Sequence, residues 1–105
     1  MTPKDHPIQI LCRYRLKPGK EQEFERLLKR HWQSLFELGL ASDQPARLLR
    51  GSDKAGNVAY IERFAWKSES SIASAHESPE VMQLWEPMGA LCEDMEFWEV
   101  SALTD

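Results

Sequence analysis

The sequence lacks the features that mark several common functional classes. No apolar run approaches the length needed to span a membrane, and the opening segment MTPKDHP has no apolar core of the kind found in secretory signals. The 13 lysines and arginines are outnumbered by 17 aspartates and glutamates, and no basic stripe is present. These absences predict a cytoplasmic protein that binds neither membranes nor nucleic acid.

Motifs for metal, phosphate or nucleotide chemistry are also missing. Cys12 and Cys92 have no metal-ligand spacing, and two distant cysteines fit a reducing compartment better than a disulfide scaffold. The three histidines are scattered along the chain, so we expect no metal site within one copy. There is no phosphate loop, nucleophile elbow or dinucleotide fingerprint. We therefore expect no cofactor, and any reaction must depend on one or two side-chain bases.

What the sequence does contain is a regular succession of strand and helix patterns. Residues 8–16 alternate with a period of two, and Lys17-Pro18-Gly19 ends them. A longer segment follows in which apolar residues recur every three or four positions, as in an amphipathic helix. The predicted elements are a strand over 8–16, a helix over 20–38, strands over 46–51 and 58–66, a short helix over 69–77, a helix from Pro79, and a strand over 96–100. The last helix keeps its apolar spacing through Leu91, Cys92 and Met95, with a kink or break expected at Pro87 and Gly89.

This order predicts one α+β domain over residues 1–105, with its core at about 8–100. Right-handed crossovers turn βαββαβ into a ferredoxin-like, four-stranded antiparallel sheet with the helices on one face. The other face would be bare. It should present small, apolar and basic side chains: Leu11, Ala59, Ile61, Ala65, Arg13, Arg15 and Arg63. Because small and apolar residues suit a partner sheet better than water, we expect a homodimer, with acidic residues such as Glu62, Glu96 or Glu99 pairing the arginines.

Two segments resemble the antibiotic biosynthesis monooxygenase family: ILCRYRLKPGKEQEFERLL near the start and YIERFAWKSESSIASAHESPEVMQLWEP later on. The resemblance extends from about Ile8 to Val100. It implies a dimeric α/β barrel whose pocket lies between the sheet and the helices of each subunit.

The sequence departs from two branches of that family. Haem-degrading members have an Asn on the first strand and a Trp and a His in the second helical region, where this chain has Cys12, Ala75 and Trp85. The resemblance therefore argues against haem degradation. Quinol-oxidising members have a His four residues before a Pro, whereas His76 stands three before Pro79.

Two histidines are the candidate catalytic residues. His31 falls between Leu27 and Leu35 on the apolar stripe of the first helix, so it should face the sheet near Cys12 or Tyr14. His76 lies in a polar segment between two helices, where it could act as a general base at the pocket mouth. The structural alternatives are a core histidine at position 31 and a solvated or capping one at position 76.

Aromatic residues are the candidate ligand contacts. Tyr14, Trp66 and Trp85 are expected to line a cleft suited to a flat conjugated molecule, and Met82 and Met88 would form a soft wall beside Trp85. Phe64 and Trp98 are assigned to the core.

Two further residues are interpreted structurally. Glu62 lies on an apolar strand and needs a partner there, for which an arginine across the sheet is the favoured candidate. Cys12 is assigned to the core, because no group that would activate its thiol is evident.

The leading functional hypothesis is a cofactor-independent monooxygenase-like protein that acts on a small aromatic or conjugated molecule of the quinol or anthrone type, with a histidine as the base. The alternatives are an isomerase that uses the same pocket, a non-catalytic or stress-related homodimer that binds a small molecule, and a module whose function is its assembly surface.

Overall fold

A computed structural model describes residues 6–104. The first five residues, which include most of the segment considered as a possible secretory signal, lie outside this range. The elements are β1 (Ile8–Leu16), α1 (Glu21–Glu37), β2 (Arg47–Ser52), β3 (Val58–Trp66), α2 (Glu69–Glu77), α3 (Pro79–Ala90) and β4 (Cys92–Glu99). No helix in the described part is long and apolar enough to cross a membrane.

The four strands form one antiparallel sheet in the order β2-β3-β1-β4, which confirms the predicted fold class. β1 and β3 lie at the centre, and their register places Cys12 opposite Glu62 and Tyr14 opposite Tyr60. Since side chains alternate between the faces of a sheet, all four point to the side that the helices cover. α1 packs its buried residues Phe24, Leu28, His31 and Leu35 on that side.

The last strand begins earlier than predicted. α3 ends at Ala90 with Leu91 as its cap, so Cys92 and Met95 belong to β4 rather than to the helix. The helical spacing of these apolar residues was coincidental: within β4, Met95 lies opposite Tyr14 on β1. α3 also continues through Pro87 and Gly89, so of the kink or break expected there the break is absent. Because Pro87 stands at the start of the last helical turn, its missing N–H leaves most of the helical hydrogen bonds intact.

The sheet face away from the helices is bare in this single chain. Leu49 is 52% exposed there and Trp98 is 58% exposed, so the assignment of Trp98 to the core was wrong. The register explains the position of Trp98, which pairs with Leu11 and therefore points away from the helices. Arg13 on the same face is bonded to Glu96 and Asp94 of β4. Glu96 was among the partners expected from the sequence, and Asp94 was not.

Candidate functional site

A cavity of about 370 Å³ lies between the sheet and the helices. Its volume falls within the range of small-molecule sites, and aromatic and aliphatic side chains form most of its surface. The residues that line it come from β1, α1, β3, α2, α3 and β4: Ile10, Cys12, Tyr14, His31, Phe64, Trp66, Ile72, His76, Trp85, Met88, Met95 and Phe97. None of these side chains is a lysine, arginine, aspartate or glutamate.

The five residues singled out from the sequence all lie on this one cavity: Tyr14, His31, Trp66, His76 and Trp85. Met88 also contributes, whereas Met82, its expected companion, is not among the lining residues. Met95 and Phe97 of β4 also line the cavity; of the two, Met95 had been assigned to the last helix, because the strand was predicted to begin at residue 96. Phe64 is both core, as predicted, and cavity wall.

Behind the cavity wall, His31 is bonded to a buried carboxylate. Its Nδ1 lies 2.7 Å from Oε2 of Glu62, whose side chain is completely buried. The Tyr14 hydroxyl donates to Oε1 of the same carboxylate at 2.6 Å. The expectation that an arginine would pair with Glu62 was therefore wrong: the alternation of β3 turns this side chain inward, away from the arginines on the bare face.

The other nitrogen of His31 is bonded to Trp85. The indole Nε1–H donates to Nε2 of His31 at 2.9 Å. Because an indole nitrogen only donates, Nε2 must be the unprotonated nitrogen of the ring, and Nδ1 must hold the proton that is donated to Glu62. Trp85, His31, Glu62 and Tyr14 thus form a continuous hydrogen-bonded series, which we call the buried network.

His76 lies at the exposed side of the cavity. Its Nδ1 lies 2.9 Å from the carbonyl oxygen of Ile72, one turn earlier in α2. A carbonyl only accepts, so Nδ1 holds the proton and Nε2 of the neutral ring is basic. The His76 ring packs edge-on against Trp85, with centroids 5.2 Å apart. No side-chain partner for Nε2 is found among residues 6–104, so this imidazole can accept a proton without displacing another group.

Burial raises the pKa of two other ionisable side chains near His31, Tyr14 and Cys12. Desolvation, reinforced by the Glu62 charge, raises the pKa of the Tyr14 hydroxyl well above its ordinary value, so Tyr14 remains a donor. The same two effects raise the pKa of the Cys12 thiol to about 12. A thiol in this state is a poor nucleophile, which agrees with the assignment of Cys12 to the core.

Sequence reasoning missed the role of Glu62. One signal was available, because Glu62 stands two residues from both Tyr60 and Phe64 and therefore shares their inward face on a well-predicted strand. Its partner could not be read in the same way. The pairing with His31 depends on how α1 is placed over the sheet, and a sequence pattern does not determine that placement.

Comparison with known proteins identifies solved structures that have a similar fold. No family model and no curated protein matches the sequence. Among solved structures, an asparagine-to-alanine variant of SnoaB, a cofactor-independent oxygenase of Streptomyces nogalater, is similar with a TM-score of 0.70 and 19% identity, covering 94% of this chain and 95% of that one. A candidate antibiotic biosynthesis monooxygenase of Nitrosomonas europaea gives a TM-score of 0.69 at 10% identity, over 98% and 96% of the two chains. PA3566 of Pseudomonas aeruginosa gives 0.68 at 14% identity, over 98% and 100%.

The chain is thus an α+β protein with a ferredoxin-like sheet and an aromatic cavity beneath its helices. Its fold is the one found in proteins described as candidate antibiotic biosynthesis monooxygenases, as the sequence resemblance implied. Identities of 10–19% establish this likeness for the fold alone.

Proposed function

We propose that the protein is a cofactor-independent monooxygenase that acts on a small aromatic or conjugated molecule of the quinol or anthrone type. One observation supports this proposal above all others: an imidazole backed by a buried carboxylate lies on the wall of an uncharged aromatic cavity. The absence of lysine and arginine from the lining residues favours an uncharged ligand over a phosphorylated or carboxylated one.

His31 is the base in this proposal. When its Nε2 takes a proton from the substrate, the ring becomes an imidazolium that remains bonded to the Glu62 carboxylate through Nδ1. The two charges then form a neutral pair, so proton transfer leaves no isolated cation in the apolar interior. Tyr14 holds the carboxylate from the other side and keeps it aligned with Nδ1. Glu62 and Tyr14 are therefore positioning residues.

Deprotonation makes an electron-rich ring reactive toward oxygen. The substrate anion gives one electron to O₂, and the resulting radical pair combines to form a C–O bond and a peroxide. Protonation of the peroxide by the imidazolium, followed by loss of the second hydrogen from carbon and cleavage of the O–O bond, leaves a carbonyl and water. In an anthrone, a CH₂ group and O₂ give C=O and H₂O; in a quinol, a ring C–H and O₂ give the hydroxyquinone and H₂O. Neither reaction needs a further reductant.

The remaining residues bind and orient the substrate. Trp66 and Trp85 offer ring surfaces at a right-angled arrangement with centroids 6.3 Å apart, which suits contact with a flat molecule. His76 stands on the exposed side of the cavity, where Nε2 of its neutral ring would accept a hydrogen bond from a hydroxyl of the entering substrate. Similarity of fold to SnoaB, itself a cofactor-independent oxygenase, supports the same reaction class.

Oxygen uptake tests the proposal. Purified protein is incubated with a panel of reduced quinols, anthrones and catechols without added cofactor, and each rate is compared with protein-free autoxidation. The proposal predicts consumption of one O₂ per substrate molecule oxidised, at a rate above background. Background rates across the panel would contradict it and would leave an isomerase in the same cavity as the reaction to test next.

A second candidate function is ligand binding without chemistry. The observation that favours it is that both nitrogens of His31 are already hydrogen-bonded, to Glu62 and to Trp85. A ligand recovered unchanged from the protein after long aerobic incubation would support this alternative.

We also propose that a second copy of the chain covers the bare sheet face. Leu49 and Trp98 are more than half exposed there, and Leu11 and Ile61 lie between them on the sheet. Arg13 already has acidic partners on β4, so burying the face does not leave this charge unpaired. Two such sheets packed face to face give a two-fold dimer.

A further inference from the structure

Trp85 occupies the place from which a ligand would reach His31. Its indole nitrogen lies 2.9 Å from Nε2, and the other nitrogen of the imidazole is bonded to Glu62 at 2.7 Å. An imidazole has two nitrogens, so no third position remains for a hydrogen bond in the plane of the ring. A ligand hydroxyl can therefore bond to Nε2 only in place of the indole N–H.

The surroundings of Trp85 allow such an exchange. The side chain is only partly buried, and its ring borders the cavity of about 370 Å³. Its edge-on neighbours Trp66 and His76 are themselves cavity-lining residues. Moving the indole thus rearranges the cavity wall, whereas Phe24 and Leu35 of the fully buried core do not line this cavity and keep their packing.

We propose that Trp85 determines ligand specificity, because its indole N–H occupies the position at Nε2 of His31 that a hydrogen-bond donor of the ligand must take. The cavity admits an aromatic molecule in the reactive position when that molecule supplies a hydroxyl or N–H to Nε2 in exchange for the indole. The inference rests on the proposed function in one respect, since it takes Nε2 of His31 as the atom that the ligand must reach. It does not require any turnover.

This exchange predicts different affinities for a phenol and for its methyl ether. A phenol replaces one hydrogen bond to Nε2 by another, so the buried imidazole keeps a partner at both of its nitrogens. A methyl ether has no donor, and displacing the indole for it would leave the buried Nε2 without a partner. An unsatisfied buried acceptor of this kind weakens binding about 10-fold or more.

The test compares 2-naphthol with 2-methoxynaphthalene, two flat molecules that differ in this donor, by calorimetric titration under argon. The wild-type protein should bind 2-naphthol about 10-fold or more tightly than its methyl ether. Trp85→Phe removes the N–H that must be displaced, so it should tighten 2-naphthol binding about fivefold and leave the ether unchanged. Trp32→Phe is the matched control: the Trp32 indole donates to the Ser42 carbonyl and does not line the cavity, so neither affinity should change.

A spectroscopic measurement on the wild-type protein tests the proposal even if the Trp85→Phe variant folds poorly. The sequence-specifically assigned indole N–H resonance of Trp85 should shift when 2-naphthol binds and remain in place when the methyl ether binds. Equal affinities for the two ligands, an unmoved Trp85 resonance, a parallel change of both affinities in Trp85→Phe, or no binding of 2-naphthol would each overturn the inference. Oxygen uptake with equal affinities would refute the exchange alone, whereas donor selection without oxygen uptake would refute only the oxygenase.

Discussion

Nδ1 of His31 on α1 lies 2.7 Å from Oε2 of Glu62 on β3, and both side chains are almost completely shielded from solvent. A buried carboxylate whose hydrogen-bond partners are a neutral imidazole and a tyrosine hydroxyl needs both donors, because no arginine or lysine among the described residues forms an ion pair with it. The same pair has one negative charge in this state, and it becomes neutral overall when it receives a substrate proton. Its structural and catalytic roles can be separated by experiment.

The charge of Glu62 is expected to matter more than its shape. Glu62→Gln keeps an oxygen for Nδ1 but removes the charge that stabilises the imidazolium, so kcat for oxygen uptake should fall about 100-fold. KM should change much less, because Glu62 does not line the cavity.

Glu25→Gln is the matched control for that substitution. Glu25 also accepts a tyrosine hydroxyl bond, from Tyr60, but it lies outside the cavity. Its kcat should equal that of the wild-type protein. Equal kcat values for the two variants would show that the buried charge has no part in turnover.

The Tyr14 hydroxyl is expected to stabilise the fold by partnering Glu62. Tyr14→Phe leaves one buried carboxylate oxygen without its donor, which should lower the free energy of unfolding by about 1–3 kcal/mol in urea denaturation. Tyr60→Phe removes a hydroxyl that bonds to the partly exposed Glu25, where water can replace it, so its loss should be clearly smaller. Equal losses in the two variants would contradict a special role for the buried network.

Stability should depend on alkaline pH through the Cys12 thiol. Burial raises its pKa from about 9 in the unfolded chain to about 12, so the folded state favours the protonated form. This stabilisation is complete below pH 9 and is lost as the pH rises toward 12, at a rate of about 1.4 kcal/mol per pH unit. Urea denaturation of wild-type protein and Cys12→Ala between pH 8 and 11 should show the shallower decline in the variant. Parallel declines would contradict the shifted pKa.

The bare sheet face should control assembly. The wild-type protein is expected to have twice the mass of one chain by light scattering, and Trp98→Glu, which places a charge on an apolar interface, should give the mass of one chain. Leu103→Glu adds the same charge at a 98% exposed residue beyond the sheet and should remain a dimer. A wild-type monomer, or a dimeric Trp98→Glu, would contradict the proposed interface.

The sequence predicted the fold well where one periodicity dominated. β1 and β3 have the bounds that alternation indicated, and α1 differs from its predicted range by one residue at each end. β4 was misjudged because Cys92 and Met95 fit a helical spacing as well as a strand, and local pattern alone does not separate the two. Pairing with β1 makes these residues part of a strand, and this pairing joins residues that are far apart in the sequence.

The candidate site, too, could be predicted from local pattern only in part. The inward faces of β1 and α1 placed Tyr14 and His31 on the same side of the sheet, and the aromatic residues Trp66 and Trp85 could be proposed as cavity wall. The hydrogen bonds that define the buried network could not be predicted, since each joins different elements and depends on distances of a fraction of an ångström. Trp98 shows the converse: an aromatic residue was assigned to the core although the register turns it outward.

The central claim is that His31 is the base, and oxygen uptake by histidine variants tests it most directly. With a quinol or anthrone that the wild-type protein oxidises, His31→Gln should lose about 100-fold or more of the rate, while His76→Gln should lose less than about 10-fold. His31→Gln combined with Glu62→Gln, which leaves no unpaired buried charge, should be equally inactive. Its cooperative unfolding in urea would show that the loss is not one of folding. A His31→Gln protein that keeps the wild-type rate above the protein-free background would contradict the account.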